Sequence, residues 1–257
     1  MRTILTLSLM LSSGIVYAAP AATAATPAST TKASTDSKSD TPSAPMDPEV
    51  KKIVDTMQAF YEKTQDYEAH FDQTYHYASF NRTQQSSGTM LFKKPALMRW
   101  DYEKPSKKII VLAGDVVYMY DVEADEVTKA PLKLDRLSAS VTFLLGQGKL
   151  ADEFNIKRAN RPEWKDAVAL ELTPKRADPR FKKVFFRVDP KTNAVTETIV
   201  VDPDDSENHM VFSHPKVDQN VGAERFHFEP SKTAAVKDLT QMQMPRPQQQ
   251  PPPQGSP

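Results

Sequence analysis

The 257-residue sequence contains no cysteine. Disulfides, thiolate metal sites, cysteine nucleophiles and a lipid-modified N-terminal cysteine are therefore excluded. Net charge is missing too, since 33 basic residues face 33 acidic ones. Without a basic excess to neutralise phosphates, no nucleic-acid partner is expected. Glycine is scarce, at seven residues, and no phosphate cradle is built from it. Gly146-Gln147-Gly148 lacks a third glycine at position 151 and follows a helical patch rather than a strand. No HExxH or G-x-S-x-G pattern occurs, and His70, His76, His209, His214 and His227 lack the spacing of three or four converging ligands. The expectation is a protein with no metal, no cofactor and no catalytic group.

Long apolar runs are also missing after the start of the chain. Met1 and Arg2 precede an apolar stretch from Ile4 to Val16, closed by Val16-Tyr17-Ala18 before Ala19-Pro20. A positive start, a short apolar core and small residues at the recognition positions predict a signal peptide over 1–18. The stretch is shorter than the roughly 20 residues needed to span a bilayer. Residues 19–48 are almost all Ala, Thr, Ser, Pro, Lys and Asp, which predicts a disordered linker. From Gln241 the chain reads QMQMPRPQQQPPPQGSP and holds six of the 21 prolines. A disordered Pro/Gln-rich tail is expected over 237–257. One folded domain is left, at 49–236.

Twelve Phe, eight Tyr and two Trp supply apolar surface for a sizeable core. Asp47-Pro48-Glu49 reads as a helix start, and Ile53, Val54, Met57, Phe60 and Tyr61 follow at helical spacing. After Tyr67 the period changes to two, with Tyr67, Ala69 and Phe71 alternating against Glu68, His70 and Asp72. Strands are predicted near 86–93, 97–103, 107–113, 116–121, 126–130, 153–159, 166–173, 182–189, 194–201, 207–213 and 223–229. Hairpin turns fall at Lys94-Pro95-Ala96 and Gly114-Asp115, which implies antiparallel neighbours. A second helical patch is expected from Leu137 to Leu145. So many short strands require a sheet that curls, its apolar side covered by the helices.

Residues 88–102, Gly88-Thr-Met-Leu-Phe-Lys-Lys-Pro95-Ala-Leu-Met-Arg99-Trp100-Asp-Tyr102, resemble a signature of the LolA-like periplasmic outer-membrane lipoprotein carriers. Four further matches come in the family's order. They are the hairpin from Ile109 to Asp121, Glu126-Val127-Thr128, Leu172-Thr173-Pro174-Lys175 and Phe226-His-Phe228-Glu-Pro230. The resemblance implies a mainly β fold, an unclosed antiparallel β-barrel of about eleven strands whose concave apolar face is lidded by helices. It implies a monomeric periplasmic carrier that takes lipoproteins from an inner-membrane ABC lipoprotein-releasing transporter. The carrier would cover their acyl chains and pass them to an outer-membrane lipoprotein receptor.

By the same resemblance, Met57, Phe60, Phe71, Met98, Trp100, Ile110, Leu112, Val141, Leu144 and Leu145 are expected to line the acyl-chain cavity. Lys94 falls where the family usually has an arginine that latches the lid through backbone carbonyls. Lysine keeps the charge but loses the planar fork, which predicts a looser lid. The missing cysteine separates the chain from the related receptor, itself a lipoprotein. Two other readings stand beside the carrier. One is a lipid- or lipoprotein-sensing regulatory protein with the same fold, and the other a secreted hydrolase with an unrecognised acid–base pair.

Overall fold

The structure is a computed structural model that describes residues 46–132 and 148–240. The expected signal peptide, most of the linker, the second helical patch with Val141, Leu144 and Leu145, and the chain from 241 onward lie outside the described residues.

Helix α1 (Pro48–Lys63) begins where the sequence places it. The Asp47 carboxylate accepts hydrogen bonds from the Glu49 and Val50 amides at 2.8 and 3.2 Å, and Pro48 occupies the first turn, where no donor is needed. Val50, Val54, Met57 and Tyr61 form one buried stripe along the helix. Thr64 leaves the helix in extended conformation, and its hydroxyl donates to the Phe60 carbonyl.

Twelve strands follow: β1 (Asp66–Tyr77), β2 (Arg82–Lys93), β3 (Leu97–Lys104), β4 (Lys108–Ala113), β5 (Val116–Asp121), β6 (Glu126–Pro131), β7 (Phe154–Arg158), β8 (Val168–Pro174), β9 (Lys183–Val188), β10 (Val195–Val201), β11 (Glu207–Val217) and β12 (Ala235–Asp238). A single turn of helix, α2 (Leu150–Glu153), leads into β7. The strands make one sheet in the order β12-β6-β5-β4-β3-β2-β1-β11-β10-β9-β8-β7. All pairs are antiparallel except β12 with β6. The terminal strands β12 and β7 are not neighbours, so the sheet does not close.

Flat, twelve strands at about 4.8 Å would span roughly 50 Å. Yet Val117 of β5, Ile110 and Leu112 of β4, Leu170 and Leu172 of β8 and Phe154 of β7 belong to one apolar cluster together with the α1 stripe. Only a sheet curled around α1 brings both wings to the same helix. The architecture is the expected unclosed antiparallel half-barrel, with α1 on its apolar face.

The C-terminal part corrects the sequence reading. Residues 223–229 were expected to form a strand, but Ala223–Phe226 is a 3-10 turn and Phe226 buries against Leu91 and Val221 on the outer face. Phe228 rests near Tyr118 and Tyr120, with ring centroids 5.5 and 5.6 Å away. The reason is topological. Both edges of β11 are already filled, by β1 and β10, so the next segment has no adjacent edge to join. It crosses the back of the sheet as a strap and reaches the free edge of β6, where β12 adds in parallel. The alternation of Phe226 and Phe228 therefore serves two contacts on the outer face rather than a ladder.

Candidate functional site

Strand parity and the α1 stripe build one continuous buried apolar cluster. On β3, Met98, Trp100 and Tyr102 face inward and alternate with Arg99 and Asp101. Across the ladder, Trp100 is in register with Met90 on β2 and with Ile110 on β4. Phe71 on β1 is fully buried, and its ring meets Trp100 and Tyr102 edge-on at 5.0 and 4.9 Å. Of the residues expected to line a cavity, Met57, Phe71, Met98, Trp100, Ile110 and Leu112 all lie in this one cluster, and the half-buried Phe60 packs against it. The structure thus gathers every expected lining residue that it describes.

Sequence reading missed the other wing of the same surface. Leu170 and Leu172 on β8, Val184 and Phe186 on β9, and Phe154 and Ile156 on β7 complete the cluster. Their alternation within each strand was a usable signal.

Polar groups on this face are few. Tyr61 Oη accepts a hydrogen bond from the Val195 amide at 3.0 Å, tying α1 to the start of β10, and burial raises its phenol pKa. Burial likewise pushes the Tyr67 phenol up to about 12. Trp100 is 6% exposed, and its indole Nε1–H has no hydrogen-bond partner among the described residues.

The C-terminal end of α1 is tied down by Lys94. Its Nζ donates to the Tyr61 and Glu62 carbonyls at 2.9 and 2.6 Å. A cation there meets two of the carbonyls that the helix leaves open and the negative end of its dipole. Burial lowers the Lys94 pKa, against the attraction of Asp218 and Glu62. Next to it, the Asp66 carboxylate, 2% exposed, accepts from the Gln219 and Val221 amides. Asp218 returns the arrangement by accepting from the Gln65 amide at 2.6 Å. The junction between α1 and β1 is therefore clamped to the outer strap.

The N-terminal half of α1 borders an open groove of about 1050 Å³. Val50, Val54, Phe154 and Ile156 supply its apolar walls, and Lys51, Lys157, Arg158 and Lys175 are among its polar lining. Glu49 and Arg158 approach to 3.7 Å across it, both largely exposed.

The histidines do not converge. His70 lies 3.8 Å from Asp72, whereas His209 meets Glu197 at 2.8 Å on the outer face, beside Trp164, whose indole donates to the same carboxylate. No helix among the described residues is long and apolar enough to cross a membrane.

The chain is similar to several known proteins. A curated outer-membrane lipoprotein carrier protein of Nitrosomonas europaea is 26% identical over 186 residues, covering 71% of this chain and 87% of that protein. A carrier of the same description from Methylobacillus flagellatus is 31% identical over 136 residues, covering 52% of this chain and 64% of that one. Among solved structures, a LolA superfamily protein from Nitrosomonas europaea superposes with a TM-score of 0.40 at 12% identity, over 70% of this chain and 97% of that one. The model of a family described as outer membrane lipoprotein carrier protein LolA matches residues 62–229, about two thirds of the sequence. The chain belongs to the LolA family of outer-membrane lipoprotein carriers.

Proposed function

We propose that this protein works in the periplasm as a carrier that receives lipoproteins from an inner-membrane ABC transporter, shelters their acyl chains and delivers them to an outer-membrane receptor. The observation that carries the reading is the single apolar cluster that lines the inner face of an unclosed sheet and is plugged by one amphipathic helix. At about 0.8 kcal/mol per buried methylene, one long acyl chain left in water costs roughly 10 kcal/mol, so the cargo must stay covered throughout the crossing.

The plug has a matching magnitude. Val50, Val54, Met57 and Tyr61 are each at most 2% exposed. At about 1.5–3 kcal/mol per buried side chain, the stripe contributes roughly 6–12 kcal/mol. Acyl chain and helix stripe thus compete for the same surface on nearly equal terms. Such a balance lets a carrier both load and unload without making or breaking a covalent bond. In this reading the groove beside Val50 and Val54 is where the chain first enters, and Lys94 holds the helix at its other end.

The test is to incubate the protein, starting at Ala19, with membranes that contain a radiolabelled lipoprotein and its release machinery. A soluble one-to-one complex that discharges onto receptor-bearing membranes is the expected result. A complex that never discharges would favour a sensor over a carrier, and failure to solubilise the lipoprotein would remove the reading.

A further inference from the structure

Strand β7 ends the sheet, and among the described residues no strand is paired with its outer edge. Its ladder with β8 decides which backbone groups face that edge. The Lys175 amide donates to the Glu153 carbonyl at 2.8 Å, and the Ala159 amide to the Ala169 carbonyl at 2.9 Å. Hydrogen-bonded pairs alternate along an antiparallel ladder, so Asn155 and Lys157 bond to Thr173 and Glu171 between those two points. Phe154, Ile156 and Arg158 therefore turn their amides and carbonyls away from β8. Pro174, which has no N–H to give, stands opposite Phe154 and fits this phase. The Phe154 amide closes α2 on the Leu150 carbonyl. Ile156 and Arg158 each keep an N–H and a C=O for a further strand.

This edge borders the open groove. All five β7 residues line it, together with Val50 and Val54 of α1, and its volume is about 1050 Å³. Val50, Val54, Phe154 and Ile156 also belong to the central apolar cluster, so a hydrocarbon chain that enters the cluster here holds whatever is linked to it against β7. Side-chain charge gives the groove little means of selection, because its cations are already engaged within the chain. Lys51 meets Asp55 at 2.6 Å, Lys157 meets Glu171 at 3.2 Å, Arg158 meets Glu49 at 3.7 Å, and Lys175 donates to the Ala151 carbonyl at 2.6 Å. The open groups of the groove are those of the main chain.

We propose that the outer edge of β7 takes up, as an added strand, the extended peptide that follows the acylated residue of the cargo. The proposal rests on the carrier reading above and states how the groove holds the part of the cargo that is not hydrocarbon. Strand addition draws its affinity from main-chain bonds, which lets one groove hold peptides of different sequence. It demands instead that alternate residues of the peptide carry an N–H, and this excludes proline at those positions. Because Ile156 and Arg158 are two residues apart, the peptide amides they bind are also two apart, and the amide between them faces away.

The test uses the ¹⁵N-labelled protein from Ala19. The probes are an N-palmitoylated hexapeptide of Ser, Thr and Gln, five analogues in which one peptide amide is replaced by an ester, and palmitoylglycerol, which has no peptide. Each ester removes one donor and keeps the shape of the chain. Replacement at alternate residues is expected to raise Kd about five- to tenfold, with the residues between unaffected. Hydrogen exchange at the Ile156 and Arg158 amides is expected to slow with the peptide probe and not with palmitoylglycerol. Equal Kd values across the ester series overturn the proposal, as does a loss without period two. Slow exchange at both amides before any probe is added also overturns it, since the chain's own segment before Met46 would then hold the edge. In each of these cases capture of palmitoylglycerol leaves the carrier reading intact. If neither palmitoylglycerol nor the peptide binds, the carrier reading falls and the proposal falls with it.

Discussion

Lys94→Met isolates what holds the helix plug in place. Methionine keeps the length of the stem and its packing but removes the ammonium that bonds the Tyr61 and Glu62 carbonyls at 2.9 and 2.6 Å. Hydrogen bonds to a charged group contribute about 1.5–3 kcal/mol when well sheltered. Two facts reduce that figure here. The Glu62 bond is exposed, and the lowered Lys94 pKa shows that burial works against the charged form. A net loss of about 1 kcal/mol is the reasoned value, roughly a fivefold shift towards the state with α1 released.

Hydrogen exchange read by mass spectrometry checks this directly. Amides within Pro48–Lys63 should exchange about fivefold faster in Lys94→Met, with β1 and β2 unchanged, and the melting temperature should fall by about 2–4 °C. Because a released plug leaves the chamber free, lipid capture should tighten by a similar factor and discharge to the receptor should slow. Lys94→Arg keeps donors at the same place and should be tolerated, with exchange across α1 no faster than in the wild type. Unchanged exchange across α1 in Lys94→Met would refute the reasoning, since the two bonds would then contribute nothing to closure.

Other perturbations probe the frame around the chamber. Tyr61→Phe leaves the Val195 amide without the Tyr61 oxygen it now bonds, which should cost about 1–3 kcal/mol in urea unfolding while the ring packing is kept. Gly88→Ala places a methyl group 2.0 Å from the Asp101 carbonyl oxygen, where β2 meets β3 at a register irregularity. The backbone must shift, and a loss of about 1–3 kcal/mol is expected by the same assay. Glu68, bonded to Lys216 at 2.8 Å and to Arg225 at 2.5 Å, has its pKa held below the ordinary 4.5 by those two cations. A depressed carboxylate pKa stabilises the fold above pH 4.5 and ceases to do so as pH falls through the folded value. Calorimetry at pH 7, 5 and 3 should show part of the acid destabilisation missing in Glu68→Gln, whereas an identical pH profile would remove Glu68 from the account.

The parts of the fold that could be read in the sequence are those with local periodicity. Met98, Trp100 and Tyr102 alternate with charged residues, and Gly114-Asp115 breaks two apolar runs, so β3, β4 and β5 and their pairing follow from neighbours in the chain. Strand β12 had no such mark. Ala235, Val236 and Lys237 are all exposed, and their pairing with β6 is decided by which edge remains free after the other strands have paired. The same limit applied to the site. Inward phase was legible for Phe71 and Trp100, but the convergence of β7, β8 and β9 on α1 depends on how far the sheet curls, which no window of sequence records. The role expected of Lys94 came from family likeness alone. That its two bonds end on the last turn of α1 is a property of how the turn at Pro95 meets Thr64. The unpaired state of the Trp100 indole depends on the orientation of one ring among Phe71, Phe212 and two ladder neighbours, which is equally beyond periodicity.

The attachments of α1 are unequal along its length, and this gives the plug a direction of movement. At its C-terminal end it is held by Lys94, by the Tyr61–Val195 bond and by the Asp66–Asp218 clamp at the start of β1. At its N-terminal end the polar tie across the groove is the exposed pair of Glu49 and Arg158 at 3.7 Å, worth little in water. Sixteen residues make a lever of about 24 Å. A rotation of roughly 15° about Thr64 carries the far end about 6 Å, close to the width of a hydrocarbon chain, with the bonds at the pivot kept. The groove beside Val50 and Val54 lies where that rotation opens first. A chain entering there would displace the stripe from Val50 towards Tyr61, burying methylenes as it uncovers side chains, so the free energy stays nearly level along the exchange. The strong attachments thus sit where movement is least, and among the described residues Val50 and Val54 are held by apolar contact and one exposed ion pair, which an entering acyl chain could replace.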